Sequence, residues 1–274
     1  MITEVDGPGV AWRERGSGPL VVLLHGLGGS RISWEPQLAC LGDHWRVAAW
    51  DLPGYGFSAP LPDEPYTFRA LADAAAAWIR SLSEPGGPSG PGGTGAHVIG
   101  ISMGGMIAQY LAAFHPDVVR SLTLLSTSPR FGLDGTRPDT WRAARLAPLD
   151  EGLEPGDFAD RVLRGLAGSG ITPEAFAGQR AAMCRISGVA LRRSIDCLVT
   201  HDTRSLLASI TAPTLVLVGE FDTETPPEYS QYLAEHLPRA RLVIVPHAGH
   251  LLNAEAPDKV NRLIADHLTA VEGS

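Results

Sequence analysis

The chain reads as an alternating α/β protein: a mostly parallel central sheet with helices on both faces and a helical cap insertion. Three observations predict this: short apolar runs bounded by glycine, helix-period segments between them, and a strand-free middle over residues 129–209. A parallel strand is buried on both faces, so it reads as a continuous apolar run and not an alternating one. Leu20–Leu24 is the first such run and residues 45–50 the second, with helical spacing over Trp34–Leu41 between them. Residues 71–82 are rich in alanine without a breaker and predict a helix. Ala96–Ile101 and Leu122–Leu125 are further strands. Met103–Phe114 predicts the helix between them, closed at His115-Pro116 because the residue before proline is pushed out of helical conformation. Strand, helix and strand in repetition place crossover helices on both faces of the sheet. From Pro129 to Ser209 the pattern predicts short helices broken by Gly and Pro. The α/β rhythm then resumes with a strand at Thr214–Gly219, a helix near Pro227–His236, a strand at residues 241–245 and a last helix over 257–268. The expected division is therefore a core from 1–128 and 210–274, with a cap over 129–209. The Pro/Gly run at 85–95 lies between a helix and a strand and reads as a flexible surface loop.

Composition removes whole classes of function. With 274 residues and 44% hydrophobic side chains, the chain is long enough to bury a sizeable core. A formal net charge of −8 argues against nucleic-acid binding, which needs a basic surface. The apolar runs are far too short to span a bilayer, so no membrane partner is expected. The N-terminal residues lack the basic start and apolar stretch of an export signal. Cys40, Cys184 and Cys197 are widely separated and in no metal-type spacing, as expected of free thiols in a reducing cytoplasm. No cofactor or metal is implied.

The sharpest local signal is Gly100-Ile-Ser-Met-Gly104, followed by Gly105, at the junction of a strand and a helix. This is the context a nucleophile elbow requires: a serine on a strained turn, flanked by residues without bulk, with its hydroxyl raised above the sheet edge. A helix N-cap serine among chance glycines would show the same letters. The second signal is His25-Gly-Leu-Gly-Gly29, at the C-terminal end of the first apolar strand. The N–H groups of Leu27 and of Met103, the residue after the serine, would form an oxyanion hole. A dinucleotide fingerprint fails here, because it would require glycine at position 31, which is Arg31.

A serine nucleophile needs a base and an orienting acid, in the chain order Ser, Asp/Glu, His. Asp222 follows one strand and His250 follows the next, both at the C-terminal sheet edge that carries Ser102. Glu220 and Glu224 rival Asp222, and His247 rivals His250. The pair His247-x-x-His250 has no carboxylate or cysteine cluster to complete a metal site.

With the stretch Asp51-Leu-Pro-Gly-Tyr-Gly-Phe-Ser58, these motifs resemble the α/β-hydrolase superfamily over nearly the whole chain. Within it the chain is similar to 3-oxoadipate enol-lactonases and their esterase relatives, through Ser102-Met-Gly-Gly-Met106, Trp141 in the cap, and the stretches 219–226 and 247–255. The resemblance implies that Asp51 is a structural turn residue. It implies a cofactor-free hydrolase of a small carboxylic ester or lactone, acting through Ser102, His250 and Asp222. A carbon–carbon bond hydrolase of ring-cleavage products, a biosynthetic tailoring or cyclising enzyme, and a non-enzymatic ligand receptor use the same scaffold. Trp141, Phe158, Phe176 and Met183 are candidates either to line the substrate site from the cap or to form the cap's own core, and Arg130 is a candidate either for contact with a substrate carboxylate or for a solvated surface residue. Residues 130–204 hold 11 of the 22 basic but 10 of the 30 acidic side chains, so the acidity belongs to the core. A nearly neutral cap repels an anionic substrate less than the core does.

Overall fold

The computed structural model describes residues 1–6, 9–61, 65–83 and 95–273. The strands are β1 (Thr3–Val5), β2 (Trp12–Arg15), β3 (Leu20–Leu24), β4 (Arg46–Trp50), β5 (Ala96–Ile101), β6 (Val119–Leu125), β7 (Thr214–Gly219) and β8 (Ala240–Val245). They form one sheet in the order β1-β2-β4-β3-β5-β6-β7-β8, parallel from β4 to β8, with β1 and β2 joined antiparallel at one edge. The order reverses around β3, so β4 and β5 flank it on opposite sides. The expected strands are all present. The antiparallel β1 and β2 are additional, because short, polar, half-exposed edge strands carry no apolar run to reveal them.

Strand pleating sorts the core into two layers. Leu20, Val22 and Leu24 of β3 pack on one face with the helices α2 (Phe68–Ser83) and α3 (Met103–Phe114). Val21 and Leu23 pack on the other with α1 (Glu35–Leu41) and the C-terminal α10 (Pro257–Glu272). Helix α2 starts three residues earlier than expected, where Thr67 Oγ1 accepts the Ala70 N–H at 3.2 Å and caps its first turn. The loop expected at 85–95 lies, apart from Gly95, outside the described residues.

Between β6 and β7 the chain makes a helical excursion: α4 (Pro138–Asp150), α5 (Pro155–Leu166), α6 (Pro173–Met183) and α7 (Gly188–Leu198). Each of the first three opens with proline, whose fixed φ suits the first helical turn and whose missing N–H would have had no partner there. The excursion leaves and returns through a narrow neck. Phe131 N–H donates to the His201 carbonyl at 2.9 Å and Thr203 N–H to the Pro129 carbonyl at 2.8 Å. Helix α8 (Pro227–His236) joins β7 to β8, and the short α9 (Leu252–Glu255) precedes α10. Among the described residues no helix is long and apolar enough to cross a membrane.

Candidate active site

Ser102 stands at the junction of β5 and α3 with φ 54° and ψ −122°, a region that side chains other than glycine rarely enter. Such a residue costs on the order of 1–3 kcal/mol and persists only where its surroundings over-determine it. Here they do. Ser102 N–H donates to the Leu125 carbonyl at 2.9 Å, while its own carbonyl accepts from Met106 N–H at 3.0 Å and from Thr127 Oγ1 at 2.7 Å. The flanking glycines are close-contact positions. A Cβ on Gly104 would run into the Leu24 and His25 carbonyls, and one on Gly26 would come within 2.9 Å of the Ser102 Cβ.

The glycine loop after β3 is fixed by the buried ring of His25. Leu52 N–H donates to its Nε2 at 2.9 Å, so Nδ1 carries the proton and donates to the Gly26 carbonyl at 2.9 Å. Burial pushes the His25 pKa down and keeps the ring neutral. Leu27 and Ser102 both line the main cavity. Met103 opens α3, where the first N–H groups of a helix have no intrahelical partner.

Asp222 and His250 meet below this cavity, on the loops after β7 and β8. His250 Nδ1 lies 3.0 Å from each Asp222 oxygen. Asp222 also accepts the N–H groups of Glu224 and Thr225 at 3.0 and 2.9 Å, and the Thr225 hydroxyl at 2.9 Å. Burial alone would raise the Asp222 pKa, but the His250 charge and these hydrogen bonds hold it below the usual carboxylate range. Burial likewise works against a charged His250, yet the Asp222 carboxylate raises its pKa above the ordinary histidine value. With Nδ1 engaged, Nε2 is the nitrogen left for chemistry.

The rivals are accounted for. His247 is 85% exposed in its side chain and donates its backbone N–H to Glu220 Oε2 at 3.0 Å. Glu224 pairs with Arg145 of α4 at 2.7 and 2.8 Å. Asp51 accepts Arg31 N–H at 2.9 Å and Phe57 N–H at 3.2 Å, the work of a structural turn residue.

The cavity encloses about 540 Å³, within the usual range for small-molecule sites. Gly26–Gly29, Ser102 and His250 form its floor, while Trp141, Phe158 and Met183 contribute from above. Two candidate contacts lie outside the lining. Arg130 is absent from the lining: its side chain, 45% exposed, faces Asp202 across the neck at 4.0 Å. Phe176 is also outside, stacked beneath the guanidinium of Arg164. A strand-end position locates a residue near the sheet edge but does not set the direction of its side chain. Sequence reasoning missed Arg145, which lines the cavity, and Thr225, whose hydroxyl lies 3.3 Å from His250 Nδ1. A threonine three residues after the acid was the available signal for the second.

A parallel sheet that raises a strained serine to a roofed cavity at its C-terminal edge is the architecture of a hydrolase. The Alpha/beta hydrolase family profile matches residues 21–263, and the chain belongs to that family. It is 35% identical to a pimeloyl-[acyl-carrier protein] methyl ester esterase of Neisseria meningitidis serogroup C, covering 89% of this chain and 94% of that one. The enol-lactonase from Burkholderia xenovorans LB400 superposes with a TM-score of 0.81 at 28% identity, over 95% of this chain and 96% of that one. A thermophilic esterase from Thermogutta terrifontis gives a TM-score of 0.81 at 27% identity, over 99% of each chain. The class of enzyme is thus an ester hydrolase.

Proposed function

We propose that this enzyme hydrolyses a small carboxylic ester or lactone through a covalent acyl-enzyme on Ser102. The observation that carries the reading is the buried Asp222–His250 pair, whose histidine lines the same cavity as the strained serine. His250 Nε2 takes the hydroxyl proton as Ser102 Oγ bonds to the substrate carbonyl carbon. The oxyanion is received by the N–H groups of Leu27 and Met103. As the tetrahedral centre collapses, the C–O bond to the alcohol breaks and His250 returns the proton to the leaving oxygen. Water, activated by the same imidazole, then attacks the acyl-enzyme and releases the acid and free Ser102. Asp222 holds the imidazole in the required tautomer and stabilises its charge.

In this reading residues 129–209 act as the cap that decides substrate size. The side chains of Trp141, Phe158, Leu191 and Ile195 give the roof an apolar surface, which supports a substrate with an aliphatic or cyclic acyl group. The relatives named above act on a methyl ester of an acyl chain and on an enol lactone, so both chemistries belong in the first panel. The cysteines are free, which suits a cytoplasmic enzyme.

The test is that ester and lactone panel, combined with fluorophosphonate labelling and mass spectrometry of the trapped adduct. Ser102 is expected to carry the label, and Ser102→Ala to lose on the order of 10³-fold or more in kcat with the fold intact. Full activity in that variant sinks the assignment.

A further inference from the structure

The loop that carries His250 has no regular structure of its own, so its backbone N–H groups need outside partners. Three consecutive residues find them. Gly249 N–H donates to Glu255 Oε2 at 2.8 Å, His250 N–H to the Leu166 carbonyl at 3.0 Å, and Leu251 N–H to Glu255 Oε1 at 3.0 Å. The same Oε2 also accepts Gly168 N–H at 2.9 Å. Leu166 is the last residue of α5 and Gly168 follows it, so both belong to the helical excursion. One carboxylate therefore binds the residues on either side of His250 and ties them to the roof.

The packing is as close as the hydrogen bonding. A Cβ on Gly168 would lie 2.6 Å from Glu255 Oε2 and 2.8 Å from Gly249 N. A Cβ on Gly249 would lie 2.6 Å from Gly168 N and 3.0 Å from the Leu166 carbonyl. Backbone meets backbone here, and glycine at both positions is what allows it. A carboxylate suits the junction because it only accepts, and its bonds to N–H groups are charge-assisted. Glutamine would keep one oxygen and turn an N–H against a donor.

Resting on the Ser–His–Asp reading, we propose that Glu255 is a positioning residue: it locks the His250 loop to the Leu166–Gly168 turn, so that His250 is aligned for catalysis only while the cap is seated. Glu255 does not line the cavity and acts through the backbone alone. The cap then has two tasks, since it bounds the substrate and also holds the base in place.

The experiment measures kcat, KM and the thermal midpoint for Glu255→Gln and Gly168→Ala beside the wild type and Ser102→Ala, with a short ester as substrate. Gly168→Ala leaves the carboxylate in place and pushes the turn away from it. A misplacement near 1 Å costs on the order of 10²-fold, so both variants are expected to lose kcat on that scale with KM within about twofold. The acid limb of the rate profile in Glu255→Gln is expected at lower pH. Of the carboxylates that act on His250, Asp222 and Glu224 remain and Glu255 is gone. Wild-type kcat in Glu255→Gln overturns the proposal, as does a lower thermal midpoint with kcat per folded molecule unchanged. Should that variant not fold, normal kcat in Gly168→Ala overturns it instead. An active Ser102→Ala would sink the serine reading itself. An inactive Ser102→Ala beside normal Glu255→Gln and Gly168→Ala would sink only the positioning role.

Discussion

The floor and the roof of the cavity are held by different forces. On the floor, the glycine loop and the elbow at Ser102 are set by backbone hydrogen bonds and, at Gly26 and Gly104, by contacts too close for a side chain. The roof is made of side chains from α4 to α7. The ion pairs Arg142–Asp196, Arg180–Asp160 and Arg192–Asp150 within it are solvent-exposed. Water screens such exposed pairs, so they do little to hold the roof together. Buried Leu146, Phe158, Leu163, Leu191 and Ile195 do more, at about 1.5–3 kcal/mol for each apolar side chain removed from water. In the proposed mechanism the floor fixes where the reaction happens, and the roof sets what fits. Substitution below should change the rate, and substitution above should change preference.

The largest effect should come from the floor. Asp222→Asn removes the charge that orients His250, and kcat should fall on the order of 10⁴-fold with the circular dichroism spectrum unchanged. A fall of less than tenfold would remove Asp222 from the mechanism. Above the cavity, Phe158 is 6% exposed and lines the lumen. Phe158→Ala should lower stability by about 3–5 kcal/mol in a denaturant titration. It should also shift kcat/KM toward bulkier acyl groups by about tenfold, the scale at which apolar pockets discriminate. Unchanged chain-length preference would mean that the roof does not measure the substrate.

A graded effect follows from His250. As the proposed base, His250 must be neutral, and its pKa is raised by Asp222, so activity should be lost as pH falls through a midpoint above the ordinary value of about 6.5. A kcat/KM profile with its acid limb below that value would contradict the ion pair. The smallest effect belongs to Arg130, outside the cavity. Arg130→Ala should leave kcat/KM within about twofold for neutral and carboxylate-bearing esters alike. A selective loss on the anionic substrate would restore it to the site.

How much of this was legible in sequence follows the same division. The elbow and the glycine loop leave a written trace, because backbone crowding at Gly26 and Gly104 dictates the residue type. Asp222 and His250 were legible from chain order and from their place after two apolar strands. Phe158 and Met183 were readable only as apolar residues, since core packing and cavity lining ask for the same chemistry. The Glu255 contact joins residues 87 positions apart and uses backbone N–H groups, which have no letter. The edge strands β1 and β2 escaped for want of an apolar run, although they help enclose Arg31, whose buried guanidinium pairs with Glu4 and Asp6 at 2.7 Å.

The neck at Pro129 and Thr203 has a consequence for descent. The chain departs from the sheet and comes back side by side, so the length of the excursion is nearly free: each doubling of a loop adds only about 0.6 kcal/mol to its closure. An excursion of another length could therefore leave and return at the same neck without moving the elbow serine. If Glu255 works as proposed, a transplanted roof has one entry requirement: a turn narrow enough to lie against Gly249, with a carbonyl for His250 and an N–H for Glu255.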